Sequence, residues 1–399
     1  MVVPLDISNA LLVPALLFVT VVAMTPNSII VPGLPLVATG LGVTRPVVGM
    51  LITAYTISSG ISALFVGMAA DSAGRKRVLI PALLLYAGGG VLPLFTRDFG
   101  MILAGRAVQG VGGAGLMSSV YGLIGDAYTC PQDRNRVLGT VTGTIAISEV
   151  AVPLVGGALA QLGWKAPFAV YALAIPAAVL CVAVLPRPCL SRRGTAEYAR
   201  GLAPVLGSRA MLAALVAKFA ATGAYFVLLT SAPFMVALRL RGSSFLAGLL
   251  MIPMGITWAA SALSLRRLTE RFSSRMLTMV GFALLTIAAC GMALAWSEGS
   301  MALMFAFWGA GSGLVNPSLL SIIIECAGES YRGAASSLHG CVALVGGSLG
   351  PVAAGFLATP SGDPAPAFYL AAAVMVGAAA LFAYLTSSAP RRGGATMEE

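Results

Sequence analysis

Apolar residues run along this chain in long unbroken stretches, without the one-sided periodicity of a surface helix. A helix needs roughly 20 apolar residues to cross the hydrocarbon of a bilayer. Twelve stretches approach or exceed that length, at about 9–31, 47–69, 78–96, 100–125, 136–161, 165–186, 210–237, 243–264, 275–297, 300–325, 333–358 and 365–387. Backbone in hydrocarbon must satisfy its own hydrogen bonds, so each is predicted as a helix. The longest polar break holds Arg187-Pro188, Ser191-Arg192-Arg193-Gly194 and Glu197, and reads as a surface linker over 187–209. It separates an N-terminal six-helix half, 1–186, from a C-terminal half, 210–399. The predicted fold class is an all-α membrane protein of 12 transmembrane helices in two six-helix bundles.

The polar breaks also set the orientation. An even number of spans puts both termini on one side. With that side cytoplasmic, its loops and tail hold 17 Lys and Arg, among them Arg75, Lys76, Arg77, Arg134, Arg136, Arg275 and Arg332. The outer loops hold five: Arg45, Arg97, Lys165, Arg239 and Arg241. The positive-inside bias therefore puts both termini in the cytoplasm of a multi-pass protein of the inner, plasma membrane. The start, MVVPLDISN, lacks the basic n-region of a signal peptide, so the first run is expected to stay as a membrane helix.

Composition agrees: 58% of the 399 residues are hydrophobic and 10% charged, against about 25% charged in soluble domains. Mean hydropathy is +0.93. The net charge of +10 sits in short loops, which speaks for membrane topology and against a nucleic-acid partner. Six scattered cysteines form no CxxC pair, and His339 is the sole histidine, so neither a metal site nor a histidine-based triad is expected. Gly110-Val111-Gly112-Gly113-Ala114-Gly115 satisfies GxGxxG, but it lies within an apolar span with no strand before it, so it is no dinucleotide fingerprint. No P-loop occurs, and ATP is not expected to power the protein.

The halves echo each other. Gly110 precedes Asp126 by 16 residues, and Gly309 precedes Glu325 by 16. Val152-Pro153-x-x-Gly156-Gly157 in helix five is answered by Gly346, Gly350-Pro351 and Gly355 in helix eleven. Aligning Asp71 with Glu270 puts Arg275 where Lys76 stands. Repeated halves are a transporter architecture, with the substrate site between them near the midplane.

The break between helices two and three carries Gly67, Asp71, Gly74, Arg75 and Lys76. These match the Gly-x-x-x-Asp-x-x-Gly-Arg-Lys/Arg loop of the major facilitator superfamily, which the whole chain resembles. Helix four's Arg106-x-x-Gln109-Gly110 resembles a pattern of its proton-coupled members. Helix five is similar to the drug:proton antiporter branch, though Val152 and Ser148 stand where that branch has glycine. The intact Gly346-x-x-x-Gly350-Pro351 lies in helix eleven instead. Gly163-Trp164-Lys165-x-x-Phe168 and Thr230-Ser231-Ala232-Pro233 also look like that branch.

The resemblance implies a conformational latch at Gly67, Asp71, Gly74, Arg75, Lys76, Asp126 and Glu325. Gly74 permits a sharp turn, Gly67 a close helix contact. Asp71 would meet a helix N-terminus, by resemblance that of helix eleven, and Arg75 would pair with Asp126. The charges also read simply as setting topology.

Arg106, Gln109, Gly110 and Gly113 share one helical face. A guanidinium in the membrane is functional by default, though one bonded to backbone carbonyls would be structural. Glu149 sits mid-helix, with Pro153 and Gly156 on its face. A carboxyl moved by alternating access between buried and cation-facing surroundings would bind and release a proton. Glu149 and Arg106 are thus proton-coupling candidates, against a neutral Glu149 that packs helices or contacts substrate. Lys218 either attracts an anionic group on a substrate, serves as counter-ion to a carboxylate, or snorkels to the surface. The other cavity candidates are Met24, Asn27, Tyr225, Phe226, Phe234, Trp258, Trp308 and Asn316, each of which also reads as packing or lipid contact.

The reading is a monomeric, proton-coupled exporter of small amphipathic or drug-like compounds. It needs no cofactor beyond the proton gradient, and its partners are substrate, protons and bilayer. A dedicated carrier of one metabolite, such as a siderophore, sugar or lipid, is the alternative.

Overall fold

The computed structural model describes residues 7–128, 130–185, 209–327, 332–357, 359 and 362–387, the side chains of 7–10, 64, 68, 71, 266, 332–334, 336, 337 and 387 excepted. The described residues form fifteen α-helices. In the N-terminal half these are α1 (Ile7–Met24), α2 (Leu34–Leu41), α3 (Arg45–Ala73), α4 (Arg75–Val91), α5 (Phe99–Ala114), α6 (Leu116–Ala127), α7 (Pro131–Gln161) and α8 (Ala174–Val184). In the C-terminal half they are α9 (Arg209–Arg239), α10 (Ser244–Leu250), α11 (Ile252–Thr269), α12 (Ser274–Ala293), α13 (Glu298–Ala327), α14 (Arg332–Phe356) and α15 (Ala365–Ser387). Eleven helical stretches are long and apolar enough to cross a membrane, and α1 with its shorter apolar part takes the remaining place. The linker expected at 187–209 lies outside the described residues except for Arg209.

Several spans are less regular than their hydropathy suggests. The first run does not continue to residue 31: α1 stops at Met24, and a turn leads to α2. Pro26 is the cause, because its missing N–H leaves the Val22 carbonyl without a helical partner. That carbonyl instead accepts from Thr25 Oγ1 at 2.8 Å and Tyr86 Oη at 3.1 Å. The fourth span breaks at Gly115 into α5 and α6, the eighth at Met251 into α10 and α11. The sixth opens with a 3-10 turn over Ala166–Leu173 before α8.

Helices α1–α8 pack into one bundle and α9–α15 into a second, joined through α3 against α14 and α7 against α10 and α11. The repeat seen in the sequence is physical. Gly110 lets α5 approach the Tyr55 carbonyl of α3, and Gly309 lets α13 approach the Met254 carbonyl of α11. Lys76 Nζ donates to the carbonyls of Val182 (2.8 Å) and Leu185 (2.6 Å) at the end of α8. Arg275 does the same for α15, through Thr386 (3.2 Å) and Ala383 (3.0 Å). A cation at a helix C-terminus meets unpaired carbonyls and the negative end of the dipole. Aligned positions thus perform one task in each half.

The bundles meet near one end and part towards the other. At the Arg-poor end a Cβ on Gly49 would lie 2.7 Å from the Pro351 carbonyl oxygen, and one on Gly248 2.5 Å from that of Pro153. Gly355 and Gly157 likewise press on Pro46 and Ser244 of the opposite bundle. Towards the Arg-rich end, Gly67 of α3, Gly139 and Gly143 of α7 and Gly340 of α14 have nothing within 4 Å of a built Cβ. Close backbone contacts across the interface are thus concentrated at the Arg-poor end, and these glycines on the side of Arg75 and Arg134 meet open space.

Candidate functional site

Gly74 links α3 to α4 with φ +92°, a conformation that side chains with a Cβ rarely adopt. The turn delivers Arg75 to Asp126, 3.0 Å away at the end of α6. Gly122 leaves the room that the Arg75 guanidinium fills, a contact with no sequence signal. Asp71 falls in the last turn of α3, and its side chain lies outside the described residues. Gly67 meets open space here, with nothing within 4 Å of where a Cβ would stand. Glu325 is exposed at the end of α13.

Arg106 is fully buried in the N-terminal bundle. Its Nε donates to the Leu51 carbonyl at 2.9 Å, Nη1 to Gln109 Oε1 at 2.6 Å and Tyr171 Oη at 3.2 Å, and Nη2 to Asn27 Oδ1 at 2.8 Å. The rings of Tyr55 and Tyr171 lie 5.0 and 5.7 Å from the guanidinium carbon. Tyr171 Oη in turn donates to the Pro26 carbonyl at 2.7 Å. The cation thus ties the break after α1 to α3, α5 and the sixth span. Neutral acceptors satisfy it, and among the described residues no carboxylate bonds to it. Asn27, expected in the cavity, is one of those acceptors.

Glu149 is the one acidic residue in the interior of a described span. Pro153, four residues on, removes the N–H that would bond the Glu149 carbonyl, so α7 is loosened at this point. The backbone there packs on Gly255 of α11 in the other bundle, and the side chain is within Coulombic reach of Tyr225 on α9. It is half-buried and forms no ion pair among the described residues. Glu149 and Arg106 therefore occupy separate environments.

The C-terminal bundle supplies the facing wall. Tyr225 lies edge-on to Trp308 at 5.0 Å and to Phe226 at 5.5 Å. Trp308 is fully buried and stacks on Phe305 at 5.7 Å. Phe226 fills the space above Gly347, and the Trp258 carbonyl packs on Gly313, so both hold helices together. Lys218 is buried, with Nζ bonded to Asn316 Oδ1. Met24 is half-buried where α1 ends. Phe234 lies away from this wall, under Arg45 at the closed end.

Gly156 accommodates the Ile29 carbonyl, Gly157 that of Ser244, Gly346 that of Phe219 and Gly350 that of Gly223. Helix five therefore packs within its bundle through Gly156 and across the interface through Gly157 and the Pro153 carbonyl, while helix eleven packs within its bundle through Gly346 and Gly350 and across the interface through Gly355 and the Pro351 carbonyl.

The closed end was not read from the sequence. Arg45 crosses the interface to donate to the Gly362 carbonyl at 2.6 Å, with its guanidinium 4.1 Å above Phe234. Next to it Arg239 pairs with Asp363 at 2.7 Å and donates to the Ala293 carbonyl at 2.6 Å. Thr53 donates to the Ser348 carbonyl at 2.6 Å, also across the interface. Burial alone would raise the Asp363 carboxyl. The bonds from Arg239 and the Ala365 N–H, with the charges of Arg239 and Arg45, outweigh it and hold the group below its usual range.

The family model described as Major Facilitator Superfamily matches residues 16–351 and 267–399. A bacillibactin exporter of Bacillus subtilis is 26% identical over 356 residues, covering 84% of this chain and 87% of that protein. A chloramphenicol resistance protein of Pseudomonas aeruginosa is 24% identical over 265 residues, 66% of this chain and 63% of that protein. A bacterial homologue of the human lysosomal transporter Spinster, in an inward-facing and occupied conformation, superposes with TM-score 0.80 at 16% identity, covering 96% and 98% of the two chains.

Proposed function

The chain belongs to the major facilitator superfamily, and from that premise we propose that it is a proton-coupled exporter of small amphipathic, drug-like compounds, working by alternating access. It is a transporter rather than an enzyme, and relatives named as exporters, of bacillibactin and of citrate, support export. The observation that carries the coupling is Glu149, an in-membrane carboxyl on a proline-loosened helix where the bundles meet. When the bundles rock, its surroundings change, and a carboxyl so placed exchanges its proton between the two sides. Arg106, held by neutral groups, keeps the helix-one break in register with α5 while the bundle moves.

In this reading the Arg-rich end faces the cytoplasm of the inner membrane, with both termini there. The structure is then the inward-open state, closed outside by Arg45, Thr53 and the two proline carbonyls. Latch contacts by Asp71 and Gly67 belong to the opposite state. The protein works as a monomer without a cofactor. Proteoliposomes with an imposed pH gradient test the proposal: substrate-dependent proton flux supports it, and ligand binding without flux refutes it.

A dedicated carrier of one metabolite is the second reading. It is favoured by the relative matched over most of the chain, which is named for a single compound.

A further inference from the structure

Lys218 is a buried cation in the middle of a helical bundle, 6% exposed. Among the described residues its Nζ donates to the neutral amide oxygen of Asn316. The acidic residues of its own bundle lie at helix ends or in loops: Glu270, Glu298, Glu325 and Asp363 among the described residues. None of them forms an ion pair with it. Glu149, from the other bundle, is felt by Tyr225 but is not paired with Lys218 either. Beside Lys218, within its Coulombic reach on α14, stands His339. The Nε2 of His339 is buried with no hydrogen-bond partner. Asn316 and His339 are each half-exposed, so the cluster is not sealed within the bundle. Charges inside a membrane protein pair with one another or are held by several neutral acceptors, as Arg106 is. Among the described residues, these three helices give the Lys218 cation one neutral acceptor and leave a ring nitrogen beside it unsatisfied.

We propose that Lys218, His339 and Asn316 form a seat for the carboxylate of the transported compound, making this carrier selective for amphipathic organic acids. The acid would accept from Lys218 Nζ and from the His339 ring, while its apolar body lies along Tyr225. Lys218, Thr222 and Tyr225 follow at i, i+4 and i+7 on one face of α9. Tyr225 is half-exposed and braced edge-on by Trp308, so it offers a rigid aromatic wall two turns from the charge. The inference rests on the exporter reading for the route by which substrate arrives, and adds to it the charge of that substrate.

The test is equilibrium binding to purified full-length protein, with dansylglycine and its neutral amide as probes and no gradient applied. The seat predicts that the acid binds about tenfold or more tightly than the amide, as one charge-assisted hydrogen bond allows. Lys218→Met should bring the ratio to about one, Lys218→Arg should keep most of the preference, and His339→Gln should reduce it. Thermal unfolding reports separately that each variant folds. Equal binding of acid and amide, or an unchanged ratio in folded Lys218→Met, overturns the seat. Displacement of dansylglycine by inorganic phosphate as effectively as by naphthoate would overturn the claim of an organic acid. Because the readout needs no transport, loss of the preference leaves the exporter reading standing, and absence of gradient-driven flux leaves the seat standing.

Discussion

Pro153 and Pro351 hold equivalent stations on either side of the interface, each turning its carbonyl to a glycine of the opposite bundle, Gly248 and Gly49. Neither contact leaves room for a Cβ without displacing backbone. The two crossings close the Arg-poor end, and they are what the repeat of the helix-five motif in helix eleven builds.

Gly248→Val should therefore act on the conformational equilibrium. Overpacking costs about 1–3 kcal/mol, and the cost falls on the state in which this end is shut. Spin labels at the exposed positions Leu162 and Arg241, in a background freed of native cysteines, should report a population shifted towards longer distances. An unchanged distribution would show that the contact does not hold the end closed.

Gly74→Ala and Gly67→Ala separate strain from contact. Alanine at φ +92° costs about 1–3 kcal/mol, so the first variant should lower the melting temperature. The second meets open space in this state and should leave the melting temperature unchanged. If the opposite state brings the bundles together at Gly67, the same variant slows transport. Equal melting shifts in the two variants would contradict this assignment.

Arg106→Lys should not rescue Arg106→Ala. Four bonds leave a planar fork in fixed directions, which an ammonium on a flexible stem does not reproduce. Leaving the buried acceptors of Arg106 unsatisfied costs about 1–3 kcal/mol each, so both variants should unfold at markedly lower temperature. Wild-type stability of Arg106→Lys would show that only the charge matters there.

Asp363 gives the closed end an acid limit. Its carboxyl is held below the ordinary 3.8, so the stabilisation is fully present above that value and is lost as pH falls through the depressed one. The pair is partly exposed, so its worth is about 1 kcal/mol or less. Asp363→Asn should lose that small increment at neutral pH and show less destabilisation on acidification below about pH 4. A variant whose acid profile matches the wild type would remove Asp363 from the closed end.

Much of this was legible in the sequence because it is local or repeated. Long apolar runs marked most of the spans, and the aligned halves put Arg275 where Lys76 stands, although they did not show that each would bind the end of the sixth helix of its own half. Arg75 reached Asp126 as its loop motif implied. The distant pairings carried no such signal. Arg106 meets Tyr171 65 residues away, Arg239 meets Asp363 124 away, and Arg45 reaches Gly362 317 away. Each depends on how helices cross, which hydropathy does not encode. The break at Pro26 was written in the chain but masked by the apolar residues around it. His339 looked like an isolated residue until α14 set it beside Lys218.

Glu149→Gln is the most direct test of proton coupling. In proteoliposomes the variant should still exchange substrate down a concentration gradient, because the bundles can still rock, but it should no longer accumulate substrate uphill when a pH gradient is imposed. Uphill transport by Glu149→Gln at the wild-type rate would contradict the account.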